Sequence, residues 1–372
     1  MENLPKDMLI SGTGHQEYEM TLPTTAEAKL DRRRSEGDLD RLLTKGRAFS
    51  AEFHPFLANH LPMMLVALHR LDASDERLAD YFSMYRDLHH LEPPPPSVSQ
   101  IEPNNWTEAL GDRSREADYR AFFAREIDRL GSGKVIANYL PRLLPGLAAS
   151  ATHALMRLAY GVLRWDAPEI TAALGYWAAT FLVLGETTGA PPITDDPAEV
   201  LIRLRNIPAF RQVETELDLL WHFMRAVSMK SEFSPVVDWL AIGPDSLKRV
   251  AQASLALYAG TMDFCALHAV TGSHWIRMIA SVTPDPTLAL RYFWLAIAAL
   301  YPKIGFPDLP SLEMLEDWRQ TPVPDWPEIS ATACQSDDEH DISLTFSARE
   351  EWKFYGDPLY QVVAARRLGL IS

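Results

Sequence analysis

Cysteine is nearly absent from this chain: Cys265 and Cys334 are the only two in 372 residues. Two cysteines build neither a disulfide framework nor a cysteine-based zinc site, so a hydrophobic core must hold the fold. Positive charge is also short. The 35 Lys and Arg stand against 50 Asp and Glu, a net charge of −15. Such a surface repels nucleic-acid phosphates and anionic membranes, and neither is expected as a partner. Long hydrophobic runs are missing. The most apolar stretches are 172–185, too short to span a bilayer, and 288–301, which carries Arg291. The first residues lack a basic start followed by an apolar run. A soluble, cytoplasmic protein without a signal peptide is therefore expected. No Gly-x-Gly-x-x-Gly, Walker A loop, His-Glu-x-x-His or Gly-x-Ser-x-Gly occurs. A dinucleotide site, a P-loop, a zincin site and a nucleophile elbow are thus unsupported.

What is present reads as globular: 47% hydrophobic and 23% charged residues, in a chain long enough for one large domain or two. Residues 1–48 are polar and read as an extension holding one helix from Ala26 to Leu43; residues 49–372 form the domain. Beyond residue 48, apolar residues recur mostly at helical spacing, as in the face made by His60, Met63, Met64, Ala67 and Leu68. Pro93 to Pro96 make a stiff extended connector. Tyr119 to Leu130 is an amphipathic helix. Leu143 to Trp165 is apolar nearly all round and predicts a buried helix, and Asp166 caps the helix after it. Further helices are expected over 199–204, 213–229, 245–257 and 287–300, with prolines breaking 302–327. No run of alternating strands and no repeat is visible, so the expected fold is mainly α: a single large multi-helix domain behind a polar N-terminal extension.

The chemistry rests with the 11 histidines. His60, His153 and His268 lie on apolar helical faces with small neighbours, and His340 follows the acidic run Asp337–Asp338–Glu339. Inward-facing histidines from separate helices build metal sites in bundle cores, and neutral imidazole suits iron, zinc or copper. A lone histidine on an apolar face is more often a core residue bonded to a carbonyl. Spacing does not separate these four from His54, His69, His222 and His274. The His-x-Glu fragments His15–Glu17 and His90–Glu92 each lack the second histidine of a facial triad.

Several short motifs occur in order: Asn59-His60-Leu61-Pro62-Met63; Asn105-Trp106 with Leu110-Gly111; Thr152-His153 with Leu158-Ala159-Tyr160-Gly161; His268-Ala269-Val270-Thr271; Asp338-Glu339-His340; and Gly356-Asp357-Pro358-Leu359-Tyr360. Together, from about Phe53 to Arg367, the chain resembles the questin oxidase-like family. The resemblance implies a largely helical fold and the oxidation of aromatic polyketides, with opening of anthraquinone-type rings. Some members are Baeyer–Villiger-type, NADPH-dependent oxidases. At least one kind is a non-haem iron dioxygenase, its iron held by four histidines and a carboxylated lysine. By motif match those histidines would be His60, His153, His268 and His340. The family lysine, three residues after the last histidine, is replaced here by Ser343, which forms no carbamate. An anionic ligand is then lost, or comes from Asp337, Glu339, Asp341, water or substrate.

The leading expectation is an oxygenase of secondary metabolism using Fe(II) and molecular oxygen on a small aromatic substrate. Its four histidines should converge, their nearest ring nitrogens within about 4–5 Å. A large apolar pocket beside them is expected, with Trp106, Tyr160 and Trp275 as candidate substrate contacts, and Trp177 and Met64 near them. Two alternatives remain open. One is a metal-free or NADPH-dependent oxidase of the same substrates, in which a histidine takes a phenolic proton. NADPH would then require a partner reductase, because the chain shows no nucleotide motif. The other is a non-catalytic polyketide-binding protein.

Overall fold

The computed structural model describes residues 37–372. The helix expected from Ala26 lies outside the described residues over its first part, as does the fragment His15–Glu17. Among the described residues the fold is mainly α, as the sequence implies. The first helices are α1 (Asp38–Gly46), α2 (Leu61–Arg70) and α3 (Asp75–Leu88). Between α1 and α2 lies an antiparallel hairpin of two-residue strands, β1 (Glu52–Phe53) and β2 (Leu57–Ala58). Then follow α4 (Glu116–Leu130), α5 (Ser132–Leu143), α6 (His153–Arg164) and α7 (Ala167–Ala179). The middle of the chain holds α8 (Pro197–Arg205), α9 (Leu220–Ser228), α10 (Val236–Trp239), α11 (Ser246–Thr261), α12 (Phe264–Ala280) and α13 (Pro286–Leu300). The last are α14 (Leu312–Arg319), α15 (Trp326–Gln335), α16 (Glu339–Tyr355) and α17 (Leu359–Arg367). No helix among them is long and apolar enough to cross a membrane.

Four of these helices close a ring. α2 packs on α6, α6 on α12, α12 on α16, and α16 back on α2. The sequence explains why α6 and α12 lie inside: every residue from His153 to Val162, and from Cys265 to Arg277, is buried. A helix with no polar face has nowhere else to go. Aspartates start two members of the ring. Asp263 accepts the Cys265 and Ala266 amides, and Asp338 accepts that of His340. Each such cap is worth about 1 kcal/mol. Asp166 caps α7 as expected, accepting from the Glu169 amide.

Three expectations are corrected. α1 is no part of a polar extension: Leu39, Leu42 and Leu43 are buried in the common core. The stretch 213–229 becomes helical only at Leu220, past Glu214, Glu216 and Asp218. The continuous helix over 143–165 does not exist. A short 3-10 turn, Leu144–Gly146, is followed by a non-helical turn, and α6 starts only at His153. Ser150, Ala151 and Thr152 have φ of 46°, 54° and 71°, three consecutive non-glycine residues in the left-handed region. Apolar periodicity cannot distinguish such a buried turn from a buried helix, because both are lined by small apolar side chains.

Close helix approach around α12 depends on Gly272. A Cβ there would lie 2.5 Å from the ring of Phe293, a fully buried residue of α13. Gly272→Ala should lower stability by about 1–3 kcal/mol, more than the ~1 kcal/mol that alanine's helix propensity returns. Urea unfolding measures it; an unchanged or raised midpoint would show that the α12–α13 contact is looser than this.

Candidate metal centre

Each helix of the ring delivers one histidine, and three do so at their start. His60 is the N-cap of α2, His153 the first residue of α6 and His340 the second of α16, while His268 lies in the second turn of α12. The imidazoles follow the cyclic order of the helices. Ring centres are 4.7 Å apart for His60 and His153, 5.5 Å for His153 and His268, 6.0 Å for His268 and His340, and 5.5 Å for His340 and His60. Four residues spread over 280 positions of sequence thus share one place in the fold. The four rings converge, but among the described residues no three of these histidines offer ligand atoms within 4.8 Å of one another. Among the described residues, the group bringing one ligand atom each within 4.8 Å is Asp338, Glu339 and His340. The four-histidine ring is wider than a closed shell with metal–nitrogen bonds of about 2.0–2.1 Å.

The same atom is tied down in all four rings. Nδ1 of His60 lies 2.9 Å from the carbonyl of Ala58, that of His153 2.6 Å from the carbonyl of Ser150, and that of His268 3.0 Å from the carbonyl of Phe264. Nδ1 of His340 lies 3.0 Å from Oδ1 of Asp338. Carbonyls only accept, so a neutral ring must carry its proton on Nδ1 and its lone pair on Nε2. None of the four Nε2 atoms has a hydrogen-bond partner among the described residues. Burial keeps the rings of His60, His153 and His268 neutral. It pushes the pKa of His60 down to about 3, with the neighbouring His340 adding to the effect. It also holds His153 and His268 well below the ordinary imidazole value. The Asp338 carboxyl is held down at about 2, first by its hydrogen bond with His340.

Local structure explains the aim of each ring. The left-handed turn at 150–152 presents the Ser150 carbonyl to His153, and the Ser150 hydroxyl is anchored on Oε1 of Glu52 at 2.6 Å. Ala58 is the last residue of β2, so the hairpin sets the acceptor for His60. The Tyr85 hydroxyl accepts the His60 amide at 3.1 Å. Phe264 closes one edge, its ring 5.2 Å from that of His268 and 4.7 Å from that of His340. Sequence reasoning passed over Phe264 and the Glu52–Ser150 pair. Phe264 does carry a signal, since it sits four residues before His268 on the same helix face.

Among the carboxylates considered as anionic ligands, Asp337 is 3.0 Å from Arg77, and Asp341 is held by Arg367 at 2.6 Å and Ser336 at 2.8 Å. Glu339 stands 3.9 Å from Nδ1 of His60. That is the outer side of the ring, away from the lone pair. A phenol rather than an anion meets Ser343: the hydroxyls of Ser343 and Ser347 lie beside Tyr160 and partly offset the burial that raises its pKa. Tyr160 follows His153 by two helical turns. Trp275 stands in the same relation to His268 and is buried, its Nε1 without a hydrogen-bond partner. Trp106 is placed elsewhere. It packs on Phe122, Phe123 and Tyr139 in an aromatic cluster, and none of these is a candidate ligand. A cleft of about 720 Å³ lies behind the hairpin, lined by Phe53, His89 and Tyr176 among others. None of the four histidines, nor Trp106, Tyr160 or Trp275, lines it.

The sequence model of a family described as Questin oxidase-like matches residues 57–345. The chain belongs to the questin oxidase-like family. Membership implies an oxidoreductase and agrees with the helical fold. No curated protein matches the chain. The matched span takes in all four histidines and Ser343, so the serine lies within the family's own domain.

Acid should destabilise the metal-free protein. His60, His153, His268 and the equally buried His274 have folded-state pKa values below their ordinary 6.5. Between the two values the unfolded chain binds protons that the folded chain refuses. Stability is therefore complete above about pH 7 and falls as the pH drops from 6.5 toward 3. The slope is up to ~1.4 kcal/mol per pH unit for each histidine. Thermal unfolding of chelator-treated protein at pH 7.5, 6.5 and 5.5 should show a steadily falling midpoint; a flat profile would mean that these imidazoles are not buried as described.

Proposed function

We propose that this oxidoreductase is a non-haem metal-dependent oxygenase, with iron held by His60, His153, His268 and His340, acting on an aromatic polyketide or related polycyclic phenol. One observation carries the reading: four imidazoles in one ring, three buried and His340 half-buried, each with Nδ1 bonded to an oxygen and Nε2 without a partner. A histidine serving only the core has no reason to leave its second nitrogen unpaired beside three others, and metal-ligating histidines donate their other N–H to a carbonyl or carboxylate in this way. The donor chemistry suits iron, which would supply one-electron chemistry with dioxygen.

The chain's own residues would do the rest. The carbonyls of Ala58, Ser150 and Phe264 fix the tautomer and orientation of three rings, and Asp338 makes His340 more basic. His153 and His268 are 7% and 2% exposed. The Tyr160 phenol, beside Ser343, would hold its proton at ordinary pH and so act as a donor, not a base. Oxidative ring cleavage is the outcome proposed, in the cytoplasm, for a substrate whose flat rings match the family's chemistry. The metal-free alternative is favoured by Ser343, which removes the family's anionic ligand. It is opposed by His60: a base with a pKa of about 3 takes no phenolic proton at neutral pH.

The deciding experiment is elemental analysis of the protein as purified and after anaerobic iron reconstitution. About one iron per chain is expected, with loss of most of it in His153→Ala or His268→Ala. Asp338→Asn should weaken iron binding about 10–100-fold while leaving the fold intact. No iron under any of these conditions would remove the metal reading. Oxygen uptake with 1,8-dihydroxyanthraquinone then tests the reaction. In a second comparison, Ser343→Lys with bicarbonate present should strengthen iron retention, since an anionic oxygen next to a buried dication outweighs a neutral ligand. An equal iron content in wild type and variant would mean that this chain meets the charge requirement without the lysine.

A further inference from the structure

His60 and His153 are the closest neighbours in the ring, their centres 4.7 Å apart. The carbonyls that orient them belong to separate segments, Ala58 in the hairpin and Ser150 in the left-handed turn. One side chain ties the two segments together. Glu52 stands across the hairpin from Ala58. Its Oε1 accepts from the Ser150 hydroxyl at 2.6 Å, and its Oε2 from Nε of Arg113 at 2.7 Å. The Glu52 side chain is 9% exposed. Arg113 is fixed in turn, its guanidinium 4.2 Å from the centre of the Trp221 ring and 5.5 Å from that of Phe56. The hairpin has a second anchor. Glu116 accepts from the Ser50 hydroxyl at 2.6 Å and from the Ala51 amide at 2.9 Å. With the hairpin held there, the task left to Glu52 is to hold the turn against it.

A buried carboxylate is costly unless its oxygens are paired. Both are paired here. A carboxylate offers two acceptor oxygens and no hydrogen, so it serves the hydroxyl of the turn and the guanidinium at once. The turn needs such a partner, because three successive left-handed residues persist only where their surroundings over-determine them. We propose that Glu52 is a positioning residue for His153: through Ser150 it locks the turn to the hairpin that aims His60, and so sets one ring against its nearest neighbour. The proposal rests on the reading of both rings as ligands, but the tie is present in the metal-free chain. Its loss should loosen the Ser150 carbonyl and with it the aim of His153. The other three rings should keep theirs. Glu116 holds the hairpin of Ala58, while Phe264 and Asp338 belong to the start of α12 and the cap of α16.

The variants are Glu52→Gln and Ser150→Ala, each in the full-length, chelator-treated protein. Glutamine has a single acceptor oxygen, so it cannot serve Ser150 and Arg113 together. The readout is the imidazole nitrogen NMR spectrum at pH 7.5, which distinguishes a protonated from an unprotonated ring nitrogen. Signals are assigned by their loss in His60→Asn, His153→Asn, His268→Asn and His340→Asn. In the wild type all four rings should carry a proton on Nδ1. Both variants should shift His153 toward a mixture of tautomers and leave the other three unchanged, and the double variant should add nothing to either. A merely structural carboxylate would lower the unfolding midpoint without choosing one ring. An unchanged His153 in both variants would overturn the proposal, as would an equal change in all four rings. Ser150→Ala removes only a hydroxyl, and it decides the question should Glu52→Gln fail to fold. Co(II) affinity, followed by visible absorbance, should fall about tenfold in Ser150→Ala; an equal affinity would deny Glu52 any part in the centre. A wild type that binds neither Co(II) nor iron would remove the metal reading and leave the tautomers to decide for Glu52.

Discussion

A buried imidazole becomes a usable ligand only when its other nitrogen is already engaged. That constraint organises this protein. Nδ1 of each of the four histidines meets an oxygen at 2.6–3.0 Å, and the positions of those oxygens account for much of the surrounding architecture. Ala58 must be held by a hairpin, Ser150 by a turn, Phe264 by the first turn of α12 and Asp338 by its place as a cap. Each of these elements holds an acceptor at hydrogen-bond distance from one ring.

The clearest cost of that arrangement is the turn before α6. Left-handed backbone costs roughly 1–2 kcal/mol for each non-glycine residue, and Ser150, Ala151 and Thr152 adopt it in succession. A helix continued through this stretch would avoid the cost, and its apolar composition would allow it. It would also carry His153 away from the helix start, into the middle of a helix. Such backbone strain clusters at functional sites, where surrounding contacts over-determine it. Here the contacts are visible: Ser150 on Glu52, Glu52 on Arg113, and the Trp177 indole on the carbonyl of Gly146 at 3.1 Å.

The helical class, most helix positions and the four histidines were legible in the sequence, for different physical reasons. Helix periodicity survives wherever a helix has a dry and a wet side, as in α4. Where both sides are dry it fails, which is why the turn at 150–152 read as helix. The histidines were found by their order among short motifs, not by spacing, because His274 is just as buried and just as helical. What sets His274 apart is its bond from Nδ1 to the Ser347 hydroxyl, a group that can donate as well as accept and so leaves the tautomer open. Trp106 was singled out by its motif alone, and its ring packs on Phe122, Phe123 and Tyr139. An aromatic ring in a motif looks the same whether it faces a ligand or, as here, Phe122 and Tyr139. The cleft was invisible because residues as distant as Phe53, Pro94 and Tyr176 build it.

The charge of the centre follows from the same geometry. Three of the four rings spring from helix starts, where unpaired amides carry partial positive charge. This favours anions and opposes a cation. Four neutral imidazoles add no negative charge to offset it, and Ser343 adds none. The compensation available lies in the acidic start of α16. Asp338 bonds to His340 and is shared with Arg367 at 2.8 Å, while Glu339 stands 3.9 Å from His60. Both carboxylates act through the rings rather than on the lone pairs, so their negative charge reaches the centre at one remove, as basicity of the imidazoles. A site built this way would bind a dication more weakly than one with a carboxylate in direct contact. If the proposed cation is bound there, a phenolate or another anionic oxygen from outside the chain would gain more than it would in a site already neutralised, because it would meet both the cation and the helix starts.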